Sequence, residues 1–311
     1  MSLNVPIALI IFNRPEHTKR VFDILREVKP KTLFVIADGP RDDYYSDKNL
    51  CQDAREVINQ IDWPCMVHHR FLNVNLGCGH GPATGIDWVF SHVDRCIILE
   101  DDCAPNKSFF YFCEEMLDRY QDDQGIMMVS GNNHLLQRGS IEDSYCFSIH
   151  TQTHGWATWR RAWYKYDFFM SDWPQICSLR WLINYLHDLR YARSWLKTFD
   201  TVYREANNNP KCTYWDFQWT YALWKNRGLT IIPCVNLVTN IGYGDDATHP
   251  TSKNHPLANL STSSIEFPLR HPKKIIQNIE VDRVLSQVVY GNYSFFRRVA
   301  NKISKIMNFG K

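Results

Sequence analysis

Residues 5–38 read VPIALIIFNRPEHTKRVFDILREVKPKTLFVIAD. From Val5 to Phe12 the run is apolar without alternation, the pattern of a strand covered on both faces. Asn13-Arg14-Pro15 ends it and opens a helix, with the proline at the first helical position, where its missing N–H costs nothing. Thr18, Val21, Phe22, Leu25 and Val28 then recur at helical spacing and give that helix one apolar face. A second strand-like run, Thr32 to Asp38, follows. Strand, helix, strand in this order predicts a βαβ unit and a parallel sheet.

Outward from this unit the pattern repeats. The spacing predicts a helix around 47–61, a strand over 65–71, a glycine-rich turn, a helix from about 82, and a strand CIIL that runs into Glu100, Asp101 and Asp102. Phe109, Phe112, Cys113, Met116 and Tyr120 mark another amphipathic helix. Residues 1–130 therefore read as one half of a doubly wound α/β domain. Between about 145 and 235 the composition shifts to tryptophan and tyrosine, as in HGWATWRRAWYKYDFF (154–169) and YWDFQWTYALWKN (214–226). Residues 229–235 read as one further strand, and 236–272 as loop. In doubly wound sheets ligands lie beyond the carboxyl ends of the strands, where Asn13, Arg14, Asp38 and the three acids all fall.

Composition narrows the partners. With 35 basic and 33 acidic residues the formal charge is +2, which excludes the basic excess of a general nucleic-acid binder. Ten cysteines occur without any C-x-x-C pair, the N-terminus carries no basic leader, and no run reaches the roughly twenty apolar residues of a membrane span. A cytoplasmic protein with free thiols is expected.

Four stretches carry candidate chemistry. Three adjacent carboxylates at a strand end raise one another's pKa unless a cation neutralises them, so Glu100, Asp101 and Asp102 are either a seat for a divalent metal or a solvated acidic turn. NLGCGHGPATG (75–85) lacks the dinucleotide fingerprint, and is either a phosphate-facing helix start or a plain turn. In HGWATWRR the tryptophans offer platforms for sugar faces and the arginines forks for phosphate, or they are core and wet surface respectively. Asp216, between aromatics and ahead of Phe217, Thr220, Tyr221 and Trp224, is either a helix N-cap or a general base. Beyond these, FFRRVANKISKIMNF (295–309) forms a basic amphipathic pattern, which either packs on the domain or lies on an anionic membrane.

Taken in order, these pieces resemble the GT-A glycosyltransferases, in particular inverting enzymes such as N-acetylglucosaminyltransferase I and bacterial family 2-like sugar transferases. The resemblance spans about residues 5–250 and rests on ILEDDCAPNKSFFYF, GWATWRRAW, YWDFQW and NIGYGDDATH. It implies a GT-A α/β catalytic domain over 1–250, with a nucleotide-binding half (1–130) and an aromatic acceptor half (131–250), and a C-terminal extension over 251–311. It further implies Mn²⁺ or Mg²⁺ on Asp102, with His249 as a weaker ligand. Asn13, Arg14, Asp38, Glu100, Asp101, Gly155 and Trp156 would hold a nucleotide-sugar donor, UDP-sugar first. Asp216 would take the proton from a glycan or lipid-linked acceptor, with peripheral contact to the inner face of the membrane. The alternatives are a sugar nucleotidyltransferase, which needs the acids but not Asp216, and a non-catalytic carbohydrate-binding protein, which needs the eleven tryptophans but no metal.

Overall fold

The computed structural model describes residues 3–135, 141–243 and 257–291. Its strands are β1 (Ile7–Ile11), β2 (Thr32–Ala37), β3 (Met66–Phe71), β4 (Arg95–Glu100), β5 (Cys103–Pro105), β6 (Ile126–Ser130), β7 (Tyr145–Ser148), β8 (Trp156–Trp159), β9 (Leu229–Pro233) and β10 (Val238–Asn240). Its helices are α1 (Pro15–Val28), α2 (Asp47–Glu56), α3 (Gly77–His92), α4 (Lys107–Arg119), the short α5 (Arg160–Trp163) and α6 (Trp173–Ile176), α7 (Leu179–Leu186), α8 (Leu189–Asn208), α9 (Asp216–Lys225) and α10 (Ile279–Leu285). Eight of the described strands form one sheet in the order β3-β2-β1-β4-β8-β6-β9-β7. β8 and β7 run against their neighbours and the remaining strands are parallel, so the expected α/β, mostly parallel sheet is present. β5 and β10 make a separate antiparallel pair.

The unalternating apolar character of β1 has its cause in two covered faces. Ile7, Leu9 and Ile11 enter one core with α1 and α4, while Ala8 enters a second with α3, α8 and α9. The buried residues of α1 are the five whose spacing predicted its inner face. On α9 periodicity fails: every residue from Gln218 to Trp224 is buried. This helix packs on α8 and, through Trp219 against Trp156 of β8, on the sheet, so its middle turns have no face left for solvent.

Two local readings change. α3 starts at Gly77 rather than near 82, because the Asp38 carboxylate accepts the backbone amides of Leu76 and Gly77 (both at 2.8 Å) and so satisfies the first turn. The glycines of that turn serve close packing. A Cβ on Gly79 would stand 2.2 Å from the carbonyl oxygen of Cys212, and one on Gly85 2.6 Å from Ile36 Cγ2. The second change is β8, an inserted reversed strand where the sequence pattern shows only aromatics. Its direction carries Arg160 and Arg161 to the sheet edge opposite the acids. There Arg160 pairs with Asp94 (2.6 Å) and Arg161 donates to the carbonyls of Tyr120, Gln121 and Ile126. These arginines fasten chain turns and are out of reach of a phosphate bound at Asp102.

Asp282 of α10 ties the last described segment to the sheet. It is buried and accepts hydrogen bonds from Ser148 Oγ (2.5 Å), the Ile149 amide (3.3 Å) and Gln277 Nε2 (2.8 Å). Asp282→Ala strands these donors in the interior and is expected to cost about 3 kcal/mol of stability in a denaturant titration, with Asp282→Asn retaining part of it. An alanine variant as stable as the parent contradicts this role.

Candidate active site

Glu100 closes β4 opposite Ile10 of β1, so the acids lie at the shared carboxyl ends of the parallel strands. Asp101 is only 7% exposed and accepts the Phe12 amide through Oδ2 (3.3 Å). Arg14, just ahead of Pro15 at the start of α1, reaches Asp102 Oδ2 at 3.3 Å and Asp101 Oδ1 at 3.9 Å. Burial first, then the neighbouring acids, push Glu100 well above the usual carboxylate range, and one of those acids is Asp216. Burial and the charge of Asp102 raise Asp101 to about 7, against the opposing pull of Arg14 and the Phe12 amide. A solvated turn would show neither the burial nor these shifts. The triplet is a partly enclosed acidic seat, with Asp101 buried, Glu100 and Asp102 half-buried, and one guanidinium beside it.

The segment after β10 closes over it. The Ile241 amide donates to the Asp102 carbonyl (2.8 Å), and the ring of His17 contacts the Ile241 carbonyl through Nε2 (3.2 Å). A Cβ on Gly242 would lie 2.3 Å from Asp102 Oδ2, so only glycine admits this approach. The expected ligand His249 lies outside the described residues.

Asp216 is the first residue of α9. The cap position belongs to Trp215, whose side chain makes no cap hydrogen bond, and Asp216 stands one residue inside it. The charge of Asp216 raises the pKa of Glu100, of Tyr166 and of Cys78. It thus stands within electrostatic reach of the acidic strand end, between the start of α3 and an aromatic wall. In that wall Trp215 stacks on Trp156 (6.0 Å between ring centroids) and its carbonyl accepts the Tyr166 hydroxyl (3.1 Å).

The remaining expected residues make structural contacts, with Asn13 and Asp38 half-buried and Gly155 and Trp156 buried. Asn13 donates to the buried Asp47 (2.8 Å), which is also paired with Arg41 (2.6 Å). Asp38 holds the α3 turn through the amides of Gly39, Leu76 and Gly77 and the side chain of Asn75. Gly155, at φ +76°, lets β8 begin against Val238 and Leu99, and Trp156 is 1% exposed inside the tryptophan cluster. Both stand behind the site. Asp47, Arg41 and Tyr166 were not singled out by sequence. Asp47 looks like any acid in a helical first turn, and only its burial reveals the network.

The donor set suits a hard divalent cation, since it consists of carboxylate oxygens at a partly enclosed strand end. Among the described residues no three His, Cys, Asp or Glu side chains converge on one point. A metal here would therefore take one or two carboxylates, with ligand phosphates and water completing its shell.

The sequence matches no protein-family model and no curated protein. Solved structures similar to it include mouse xyloside xylosyltransferase 1 (11% identity, 70% of this chain and 81% of that one, TM-score 0.33). A UDP-glucose pyrophosphorylase complexed with UDP-glucose is another (12%, 48% and 63%, 0.26), of whose length the chain spans 63%. M. capricolum TrmK in complex with S-adenosyl-homocysteine is a third (10%, 71% and 93%, 0.21). At these TM-scores the likenesses carry no argument, and the site stands on its own geometry.

The raised carboxylates fix the sign of a pH effect. A carboxyl whose folded pKa is raised holds its proton after the unfolded chain has lost it, so its ionisation removes stability as pH rises towards the folded value. Glu100→Gln removes one of the mutually repelling charges. Without divalent cations its melting temperature should rise relative to the parent as pH goes from 5 to 8, and converge with it at the acidic end. A constant offset contradicts the repulsion.

Proposed function

We propose that the chain is a metal-dependent inverting glycosyltransferase of the GT-A type, moving a sugar from a nucleotide donor, UDP-sugar first, to a glycan or lipid-linked acceptor. What supports this reading is that Asp216, more than a hundred residues from Glu100 in sequence, stands within electrostatic reach of it at one end of the sheet. An acidic seat alone suits many phosphate enzymes. A second carboxylate beside it, set in an aromatic wall, is what glycosyl transfer requires and nucleotidyl transfer does not.

In this reading Asp102 would hold Mn²⁺ or Mg²⁺, with Asp101 beside it on the donor, and the cation would supply charge stabilisation for a departing nucleoside diphosphate. Arg14 supplies a second, fixed positive charge at the same place and is suited to pair with phosphate oxygens. Asp38 and Asn13 act through the turns they hold, and so shape the nucleoside end. Asp216 accepts the proton of the acceptor hydroxyl as that oxygen attacks the anomeric carbon from the face opposite the leaving group. A single displacement of this kind inverts the configuration. Trp215 and Tyr166 close the wall behind Asp216 and keep bulk water from competing with the acceptor.

The test is turnover of UDP-sugars with Mn²⁺. Release of nucleoside diphosphate is expected, and Asp216→Asn should lower the rate by on the order of 10² or more while donor binding is retained. Release of pyrophosphate would instead select the nucleotidyltransferase, and near-parental turnover of the asparagine variant would remove Asp216 from the chemistry.

A further inference from the structure

The central sheet has two edges, and the chain treats them differently. At β7 the segment between Leu269 and α10 runs alongside the strand. The Arg270 amide donates to Ser144 Oγ (2.8 Å), the Ser144 amide to the Arg270 carbonyl (2.9 Å), and the Asn278 amide to the Phe147 carbonyl (2.8 Å). β3 is the other edge, and among the described residues no strand or isolated bridge pairs with its outer side. An open edge is a template for another chain, and folds that avoid such pairing blunt it with proline, lysine, acids or a covering segment. From Cys65 to Leu76 there is no proline, lysine or acid.

Register decides which backbone groups of β3 are unspent. The Met66 amide donates to the Lys31 carbonyl (2.8 Å) and the Leu72 amide to the Ala37 carbonyl (2.9 Å), so in this parallel ladder Met66, His68, Arg70 and Leu72 turn their backbone groups to β2. The N–H and C=O groups of Val67, His69 and Phe71 therefore point away from the sheet. Side chains leave this edge accessible. His69 and Phe71 are exposed on the face that carries α1 and α2, and Met66 is 64% exposed on the face that carries α3. The nearest charges are engaged within the chain: Arg70 donates to Thr84 Oγ1 (3.0 Å), Arg55 to the carbonyls of Asp38 and Leu72 (2.9 and 2.6 Å), and Asp62 pairs with Arg26 (3.3 Å). On α2, Lys48, Asp53 and Glu56 are exposed.

The outward groups are symmetric about His69, which is the property an edge needs to pair with itself. We propose that β3 pairs antiparallel with β3 of a second copy of this chain, about a two-fold axis at His69. His69 then lies opposite its own copy, and Val67 opposite Phe71 at both ends, each opposed pair exchanging both of its backbone hydrogen bonds. On the other face the exposed Met66 lies opposite Leu72 of the copy and loses its contact with water. The same axis runs α2 antiparallel to its copy, which sets Lys48 at the start of one toward Glu56 at the end of the other. Such a contact uses both free edges at once, and because β7 is covered the assembly closes at two chains. β3 lies three strand spacings from β4, roughly 14 Å, so pairing leaves the acidic site open. The proposal does not depend on the glycosyltransferase reading, because its test measures no turnover.

Sedimentation of the full chain at pH 8, where imidazole is ordinarily uncharged, should give twice the mass of one chain at micromolar concentration. His69→Pro removes the central outward amide without taking a bond from β2, and should leave a folded monomer. His69→Glu sets two carboxylates against each other at the axis and should weaken dimerisation on the order of 10-fold or more. Because that side chain is exposed, the melting temperature of the dilute glutamate variant should stay at the parent's value. In the parent, hydrogen exchange at the amides of Val67, His69 and Phe71 should slow as the chain is concentrated through its dimerisation range. The proposal is overturned by a parent chain that stays monomeric, by a glutamate variant that dimerises as the parent does, or by a dimer in which those three amides exchange as fast as in the monomer, which would place the contact elsewhere.

Discussion

The repulsion among Glu100, Asp101 and Asp102 is the constraint around which this fold is arranged. Carboxylates at the end of a strand enclosed on both faces are costly to ionise, and a raised pKa is the mark of that cost. Two neighbours lower it in part, Arg14 from the start of α1 and the Phe12 amide from the end of β1, while Asp216 and burial raise it. Arg14 is the one cation these contacts supply, so two of the acids stay hard to ionise, as expected where a cationic ligand completes the site.

Topology determines which residues share this site. Because β1, β2 and β4 are parallel, their carboxyl ends converge, and Arg14, Asp38 and the acids meet at one edge. Because β8 is reversed, Gly155 starts at that edge while Arg160 and Arg161 finish at the other. Asp216 arrives by a third route, through the 212–215 segment, which can pass over α3 only because Gly79 offers no side chain. The glycine-rich stretch therefore does its work towards Asp216 as much as towards any phosphate.

How much of this was legible in sequence follows from how local each cause is. α1 was readable residue by residue, since one covered face imposes one period. The carboxyl-end cluster was readable because strand ends follow from the same pattern. β8 was not, because a four-residue buried strand has no period to detect among tryptophans that would be buried in any case. Nor was the start of α3, which depends on the Asp38 carboxylate accepting backbone amides from 38 and 39 residues further on. The supporting roles of Asn13, Gly155 and Trp156 were hidden for the same reason: each depends on a partner distant in sequence. Asp216 was legible as a residue of interest, but its nearness to Glu100 is purely a product of the tertiary fold.

The most direct measurement of the central claim is a calorimetric titration of UDP into the full chain with and without Mn²⁺, repeated on Asp102→Ala after its fold has been verified. If the acids seat a cation that bridges to a diphosphate, UDP binds only with the metal, and the alanine variant loses that binding while its melting temperature without ligand is preserved. UDP binding of equal strength without the metal, or unchanged in the variant, would contradict the account.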